Sequence, residues 1–333
     1  MEIGFFGVEP WQQKVFKKIF LNDKLYFSKH KLTSAEAKKY SSLEVLSIFV
    51  HSKIDEKILE KLPRLKYIAT RSAGFDHIDL EACKKRGIKV SNVPAYDVNT
   101  VAEQAFALMV CMSRKIVDSV ERVRTKSYDL NGLKGFDLNG KTLGVVGTGN
   151  TGRYMVKIGR GLGMKVIAFD IVPDNKFAKE TGMKYVTMEK LFSSSDIVSL
   201  HVPYNKHTYH LVNKKIFSLM KKGSYLINTS RGAVVDTLAM YQALKSGQLA
   251  GTGLDVLEEE SALIELFHRK KGEHWKEADK KVLTVNLALI KMKNVFITPH
   301  NAFNTTEAIN RILDATVKNI KGFKNKRSVN LVF

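Results

Sequence analysis

Leu143-Gly144-Val145-Val146-Gly147-Thr148-Gly149-Asn150-Thr151-Gly152 runs from an apolar, strand-like segment through spaced glycines into a helical stretch read as beginning at Arg153. Met164-Lys165-Val166-Ile167-Ala168-Phe169 then leads to Asp170, 18 residues beyond Gly152. Strand, glycine turn, helix, strand and acid in this order form a dinucleotide-binding unit. Gly147 permits the tight turn, Gly149 lets the backbone approach a pyrophosphate, and Gly152 lets helix and strand pack closely. The open amides and positive end of the helix hold the phosphates. Asp170 accepts the hydroxyls of the adenosine ribose and repels a 2′-phosphate, so the expected cofactor is NAD rather than NADP.

The segments that follow continue the alternation. Ile197–Leu200, Tyr225–Asn228, Gly251–Asp255 and Val295–Thr298 read as strands, which with Thr142–Val146 and Lys165–Asp170 make a full Rossmann NAD domain. A separate alternating set precedes it: Ile3–Val8, Leu25–Phe27, Val45–Val50, Tyr67–Thr70 and Lys89–Val93, with helical stretches such as Glu56–Lys61 and Asp79–Lys85 between them. The expected fold class is therefore α/β, with two doubly wound parallel-sheet domains: a flavodoxin-like substrate domain and a Rossmann NAD domain, with a cleft between them. Thr100–Arg124 reads as one long helix, and Thr305–Gly322 as a helix returning to the first domain. The expected division is 1–99 plus 302–333 for the substrate domain and 100–301 for the NAD domain.

With 333 residues, 44% of them hydrophobic, the chain is long enough for two cores. Cys83 and Cys111 are its only cysteines, and no His/Cys cluster has ligand spacing, so neither a disulfide framework nor a metal site is expected. A reducing cytoplasm fits this pattern. The start of the chain lacks the basic lead of a signal peptide, and no apolar run reaches membrane-spanning length. The net charge of +21 raises the question of nucleic acid. The lysines are nevertheless spread along the chain, with modest clusters at Arg269-Lys270-Lys271 and from Lys321 to Arg327. The expectation is a lysine-rich surface that attracts anionic substrates, not a specific nucleic-acid site.

Three charged segments stand at the carboxyl ends of expected strands, where open parallel sheets bind ligands. Leu226-Ile227-Asn228-Thr229-Ser230-Arg231-Gly232 places an arginine whose planar fork suits a carboxylate. Gly253-Leu254-Asp255-Val256-Leu257-Glu258-Glu259-Glu260 ends a strand in Asp255 and follows it with an acidic loop. Ile297-Thr298-Pro299-His300-Asn301-Ala302-Phe303 sets a histidine just after another strand, which with a glutamate makes a candidate acid–base pair.

These segments and the glycine loop together resemble the D-2-hydroxyacid dehydrogenase family over nearly the whole chain, most closely its D-lactate dehydrogenase branch. The resemblance implies Arg231, Glu260 and His300 as catalytic residues, and Asp255 on the nicotinamide side. It further implies cofactor contacts at Gly147, Gly149, Asn150, Thr151, Gly152, Asp170, Val202, Pro203, Thr208 and Thr229. Arg71-Ser72-Ala73-Gly74 resembles the loop whose amides receive the substrate carboxylate, with Ala73 and Gly74 as the contacts. Val93-Pro94-Ala95-Tyr96 resembles the segment whose tyrosine reaches the substrate, and Phe303 resembles an aromatic wall of that branch. Two departures stand out: Ser261 follows Glu260 where many relatives have proline, and 39 residues separate Glu260 from His300, with a charged stretch within 261–290.

The implied reaction is the reversible, NAD-dependent reduction of pyruvate or a similar short 2-keto acid to the D-2-hydroxy acid. Glyoxylate or hydroxypyruvate reduction is the alternative enzymatic reading, and a non-enzymatic NAD-sensing, corepressor-like protein is the alternative from another class. The resemblance also implies a homodimer through the helix starting near Thr100.

Overall fold

Short runs of Val, Ile, Leu and Phe, buried on both sides, build the strands, as expected for parallel sheets covered by helices on each face. A computed structural model describes residues 1–96, 98–268 and 279–333 and divides the chain into Met1–Asp97 with Asn304–Phe333, and Val98–Phe303.

In the first unit, β1 (Glu2–Phe6), β2 (Lys24–Ser28), β3 (Val45–Ile48), β4 (Tyr67–Thr70) and β5 (Lys89–Ser91) form an all-parallel sheet of order β2-β1-β3-β4-β5. This is the flavodoxin-like order. The central strands β3 and β4 are buried at every position. The Thr306–Lys324 helix, capped by the Thr305 hydroxyl, covers one face: Leu313 and Ile320 join Phe5, Val45 and Tyr67 in one core, and Phe323 stacks on Tyr67 at 4.4 Å. Each such buried Leu or Ile contributes on the order of 2 kcal/mol.

In the second unit, β6 (Thr142–Val146), β7 (Lys165–Phe169), β8 (Lys184–Tyr185), β9 (Ile197–Leu200), β10 (Ser224–Asn228), β11 (Leu249–Leu254) and β12 (Val295–Ile297) are again all parallel, in the order β12-β11-β10-β9-β6-β7-β8. The order reverses at β6, where β9 and β7 flank it, which is the switch point of a Rossmann sheet. The expected six strands become seven because β8, a two-residue edge strand, is too short to leave a periodic signal.

The long helix expected over Thr100–Arg124 is two helices, Thr100–Ser113 and Ile116–Arg124, with Lys115 at φ 53 between them. The cause is a distant contact. The Ser113 carbonyl accepts the Phe136 amide at 2.8 Å, so it is taken from the helical ladder, and Gly135 lies so close that a Cβ there would sit 2.1 Å from that oxygen. The Arg269-Lys270-Lys271 cluster and much of the charged 261–290 stretch lie outside the described residues. Among the described residues no helix is long and apolar enough to cross a membrane, and no His, Cys, Asp and Glu group could hold a metal ion.

Candidate active site

The glycine turn follows β6 at the switch point. Gly147 adopts φ +89, and a side chain there would meet the His201 carbonyl at 2.6 Å. At Gly152 a Cβ would fall 1.9 Å from the Gly147 oxygen, so only glycine lets the turn and helix close on each other. At Gly149, by contrast, a Cβ would meet nothing within 4 Å. The helix spans Asn150–Gly161, three residues earlier than read, because the extended Gly149 serves as its N-cap and its carbonyl accepts the Arg153 amide at 3.0 Å. No side chain caps this end, leaving first-turn amides around Asn150 and Thr151 for an anion.

Asp170 follows β7. Its Oδ2 accepts the Thr148 amide at 2.6 Å and the Thr148 hydroxyl at 2.9 Å, and its Oδ1 accepts the Val172 amide at 3.0 Å. Burial alone would raise its pKa, but these hydrogen bonds outweigh it and hold the carboxyl below its ordinary value, so it is a carboxylate at neutral pH. Thr148, absent from the sequence-based set, thereby orients the acid. At the end of β9, burial pushes the His201 imidazole down to about 4, and its Nε2 lies 2.8 Å from the Ser199 hydroxyl. In the loop that continues through Val202 and Pro203, the Thr208 hydroxyl donates to the Pro203 carbonyl at 2.6 Å and accepts the Asn205 amide at 2.8 Å.

At the end of β10, Arg231 Nη1 donates to the Ser230 carbonyl at 2.9 Å, and Asn228 Nδ2 holds the Arg231 carbonyl at 2.9 Å. Gly232 brings this segment against Leu257 and Glu258, where a Cβ would sit 2.0 Å from the Leu257 carbonyl carbon. Glu258 is a second element that sequence reasoning missed. Its carboxylate lies 2.7 Å from His210 Nε2, and its carbonyl accepts Asn286 Nδ2 at 2.8 Å. The partners are 48 and 28 residues away, and no local pattern signals either pairing.

Asp255, 1% exposed, holds the histidine loop. Its carboxylate accepts the Thr298 hydroxyl and the amides of Asn301 and Ala302, both at 2.8 Å, and its carbonyl accepts the His300 amide at 2.9 Å. Burial dominates and raises the carboxyl above its ordinary value, although these donors and the nearby His300 pull the other way. His300 adopts φ 51 and Glu259, before Glu260, φ 55, and the loop presents His300 Nδ1 to Glu260 Oε1 at 3.0 Å. Both side chains are about one-fifth exposed, at 21% and 22%. A carboxylate accepting from Nδ1–H fixes the ring orientation and leaves the proton chemistry to Nε2. Phe303, three residues on, is half-buried.

In the first unit, Ser72-Ala73-Gly74 follows β4. The Ser72 hydroxyl donates to the Gly74 carbonyl at 2.6 Å, and Asn92 Nδ2 donates to the Ala73 carbonyl at 2.8 Å. Tyr96 is 6% exposed behind Ala95 at φ 58, and Arg311 Nε holds its carbonyl at 2.7 Å.

The residues of the second unit suit a dinucleotide. The space in front of Gly149 is open, the helix end is uncapped, Asp170 is charged, and the buried Thr229 hydroxyl has no hydrogen-bond partner among the described residues. Fold and site thus define an NAD-binding α/β protein. Residues 106–302 match the family described as D-isomer specific 2-hydroxyacid dehydrogenase, NAD binding domain. The chain is 38% identical over 328 residues to a D-lactate dehydrogenase of Escherichia coli, covering 97% of each, and 38% identical over 302 residues to a glyoxylate reductase of Thermococcus litoralis, covering 88% of this chain and 85% of that one. The structure of D-lactate dehydrogenase from Aquifex aeolicus complexed with NAD and lactic acid superposes with a TM-score of 0.87 at 38% identity, covering 99% of this chain and 98% of that one. The chain belongs to the D-isomer specific 2-hydroxyacid dehydrogenases, and its cofactor is NAD.

Proposed function

We propose that the protein interconverts a short 2-oxo acid, pyruvate foremost, and the corresponding D-2-hydroxy acid. The observation that carries this reading is the His300–Glu260 pair, 3.0 Å apart, on the unit that bears the glycine turn. Gly147, Gly149, Asn150, Thr151 and Gly152 would take the pyrophosphate and Asp170 the ribose. Val202, Pro203, Thr208 and Thr229 would line the remaining cofactor contacts, with Asp255 on the nicotinamide side. The bound nicotinamide supplies or accepts the hydride at the substrate's C2. As hydride reaches C2, negative charge develops on the carbonyl oxygen. His300 Nε2 donates the proton there, and the Arg231 guanidinium stabilises that oxygen while anchoring the carboxylate. In the reverse direction His300 takes the hydroxyl proton. The amides of Ala73 and Gly74 receive the carboxylate, and Tyr96 and Phe303 bound the substrate's side chain.

NADH oxidation against pyruvate, 2-ketoisocaproate, phenylpyruvate, hydroxypyruvate and glyoxylate tests this directly. The expected result is fastest turnover of pyruvate, D-lactate as product, and weak activity with NADPH because the Asp170 carboxylate opposes a 2′-phosphate. The Thermococcus litoralis relative favours a second reading, glyoxylate reduction, which a preference for glyoxylate over pyruvate would establish instead.

We further propose a homodimer. On the Ile116–Arg124 helix, which buries no residue, Ile116, Val117, Val120 and Val123 are each 43–48% exposed, an apolar stripe suited to a second copy. Light scattering should give twice the 37.5 kDa chain mass, and a value near 37.5 kDa would refute the dimer.

A further inference from the structure

Arg71, the residue after β4, is 2% exposed. Its Nη1 donates to the Ser47 hydroxyl at 3.0 Å, and its Nη2 to the carbonyls of Phe6 at 2.5 Å and Gly7 at 2.7 Å. The guanidinium therefore lies across the carboxyl ends of β1 and β3. Every one of these partners is a neutral oxygen, and among the described residues no carboxylate pairs with it. Three of its five N–H groups meet neutral acceptors, and among the described residues its charge meets no counter-ion. Burial pushes the guanidinium down to about 9, which still leaves it a cation at neutral pH. A buried, unpaired cation is costly, and an apolar side chain would serve packing better.

The chain runs from Arg71 straight into Ser72-Ala73-Gly74. That loop is held from inside: the Ser72 hydroxyl meets Thr70 Oγ1 at 2.8 Å, the Ser72 carbonyl accepts the Val93 amide at 3.0 Å, and Asn92 grips the Ala73 carbonyl. The amides of Ala73 and Gly74, both at half-buried residues, meet no acceptor among the described residues. Two unused donors stand immediately after a buried positive charge, at the strand ends where open parallel sheets bind ligands.

We propose that Arg71 is a specificity-determining residue: its buried charge makes the Ser72–Gly74 loop select a carboxylate over a neutral group of the same shape. This rests on the reading that the substrate is a 2-oxo acid. The guanidinium does not touch the substrate. It acts through its field, which the protein interior screens less than water does.

The test compares kcat/KM for the best oxo acid of the panel with that for its methyl ester, at saturating NADH, in the full-length protein and in Arg71→Lys, Arg71→Gln and Arg71→Met. Circular dichroism checks folding, and NADH fluorescence checks the cofactor unit. The acid-to-ester ratio should fall about tenfold or more in the Gln and Met variants, through KM of the acid, and should be largely retained in the Lys variant. If Arg71→Met does not fold, Arg71→Gln carries the test, since its amide can still donate to the Gly7 carbonyl without the charge. A folded neutral variant with an unmoved ratio, or a Lys variant as impaired as the Gln variant, overturns the role of Arg71 alone. A wild-type protein that reduces no oxo acid takes down the proposed function and this inference together.

Discussion

Replacing His300 by glutamine is expected to lower turnover by about 10²- to 10⁴-fold, the usual contribution of a positioned general acid, with NADH affinity nearly unchanged. Glutamine keeps a side chain of similar reach that can still face Glu260, but its amide cannot deliver a proton to a developing alkoxide. The loop itself should survive, because its hold on the rest of the unit comes from Asp255, which binds Thr298, Asn301, Ala302 and the His300 backbone. Stopped-flow measurement of NADH binding alongside steady-state turnover separates the two effects. Turnover within a few fold of the parent would remove His300 from the chemistry, and lost NADH binding would show that the substitution acts on the scaffold.

Gly232→Ala should be nearly as damaging without touching any group that does chemistry. The new Cβ would lie 2.0 Å from the Leu257 carbonyl carbon, 2.1 Å from its oxygen and 2.2 Å from the Glu258 nitrogen. These are backbone atoms, which cannot swing aside as a side-chain tip does. The segment on one side of the clash carries Arg231, and the segment on the other leads through Glu258 to Glu260. Glu258 is itself pinned by His210 and Asn286, so the strain cannot be relieved by moving that loop outward. Forcing the two apart by the order of an ångström is expected to reduce kcat/KM by about 10²-fold. The same overpacking should lower stability by about 1–3 kcal/mol, readable as a shifted urea midpoint. Parental kinetics in this variant would contradict the coupling of the Arg231 and Glu260 segments through this contact.

The glycine turn and the strands around it were legible in the sequence because each is a local device: a glycine where the backbone turns, an apolar run where a strand is buried on both faces, an acid where the next strand ends. His300 stood out as an ionisable residue just after an apolar strand, whereas Glu260, in an acidic run that reads equally well as a solvated turn, was marked by the family resemblance; their 3.0 Å contact is visible only in the fold. Features decided by remote contacts left no such mark. The break at Lys115 depends on Gly135 and Phe136 drawing off the Ser113 carbonyl, and uninterrupted helical periodicity across Thr100–Arg124 conceals it. β8 is two residues long, below any period. The carboxylate of Asp255, implied on the nicotinamide side, has its oxygens engaged by the histidine loop, which only the fold reveals. Arg71 reads in the sequence as the first residue of a loop motif, and its burial among neutral oxygens becomes visible only when β1, β3 and β4 are side by side.

The interrupted course of the first unit sets an order of events during synthesis. Residues 1–97 emerge from the ribosome first, yet one face of their sheet is closed by Leu313, Ile320 and Phe323, which are translated only after the whole of Val98–Phe303. Until then this face has Phe16 and Phe20 over Phe5, but Tyr67 lacks its stacking partner Phe323, and the cover given by Leu313 and Ile320 is missing. The nascent chain therefore completes the cofactor unit before the flavodoxin-like unit, and the early segment passes through a sticky, half-covered stage that chaperones would recognise.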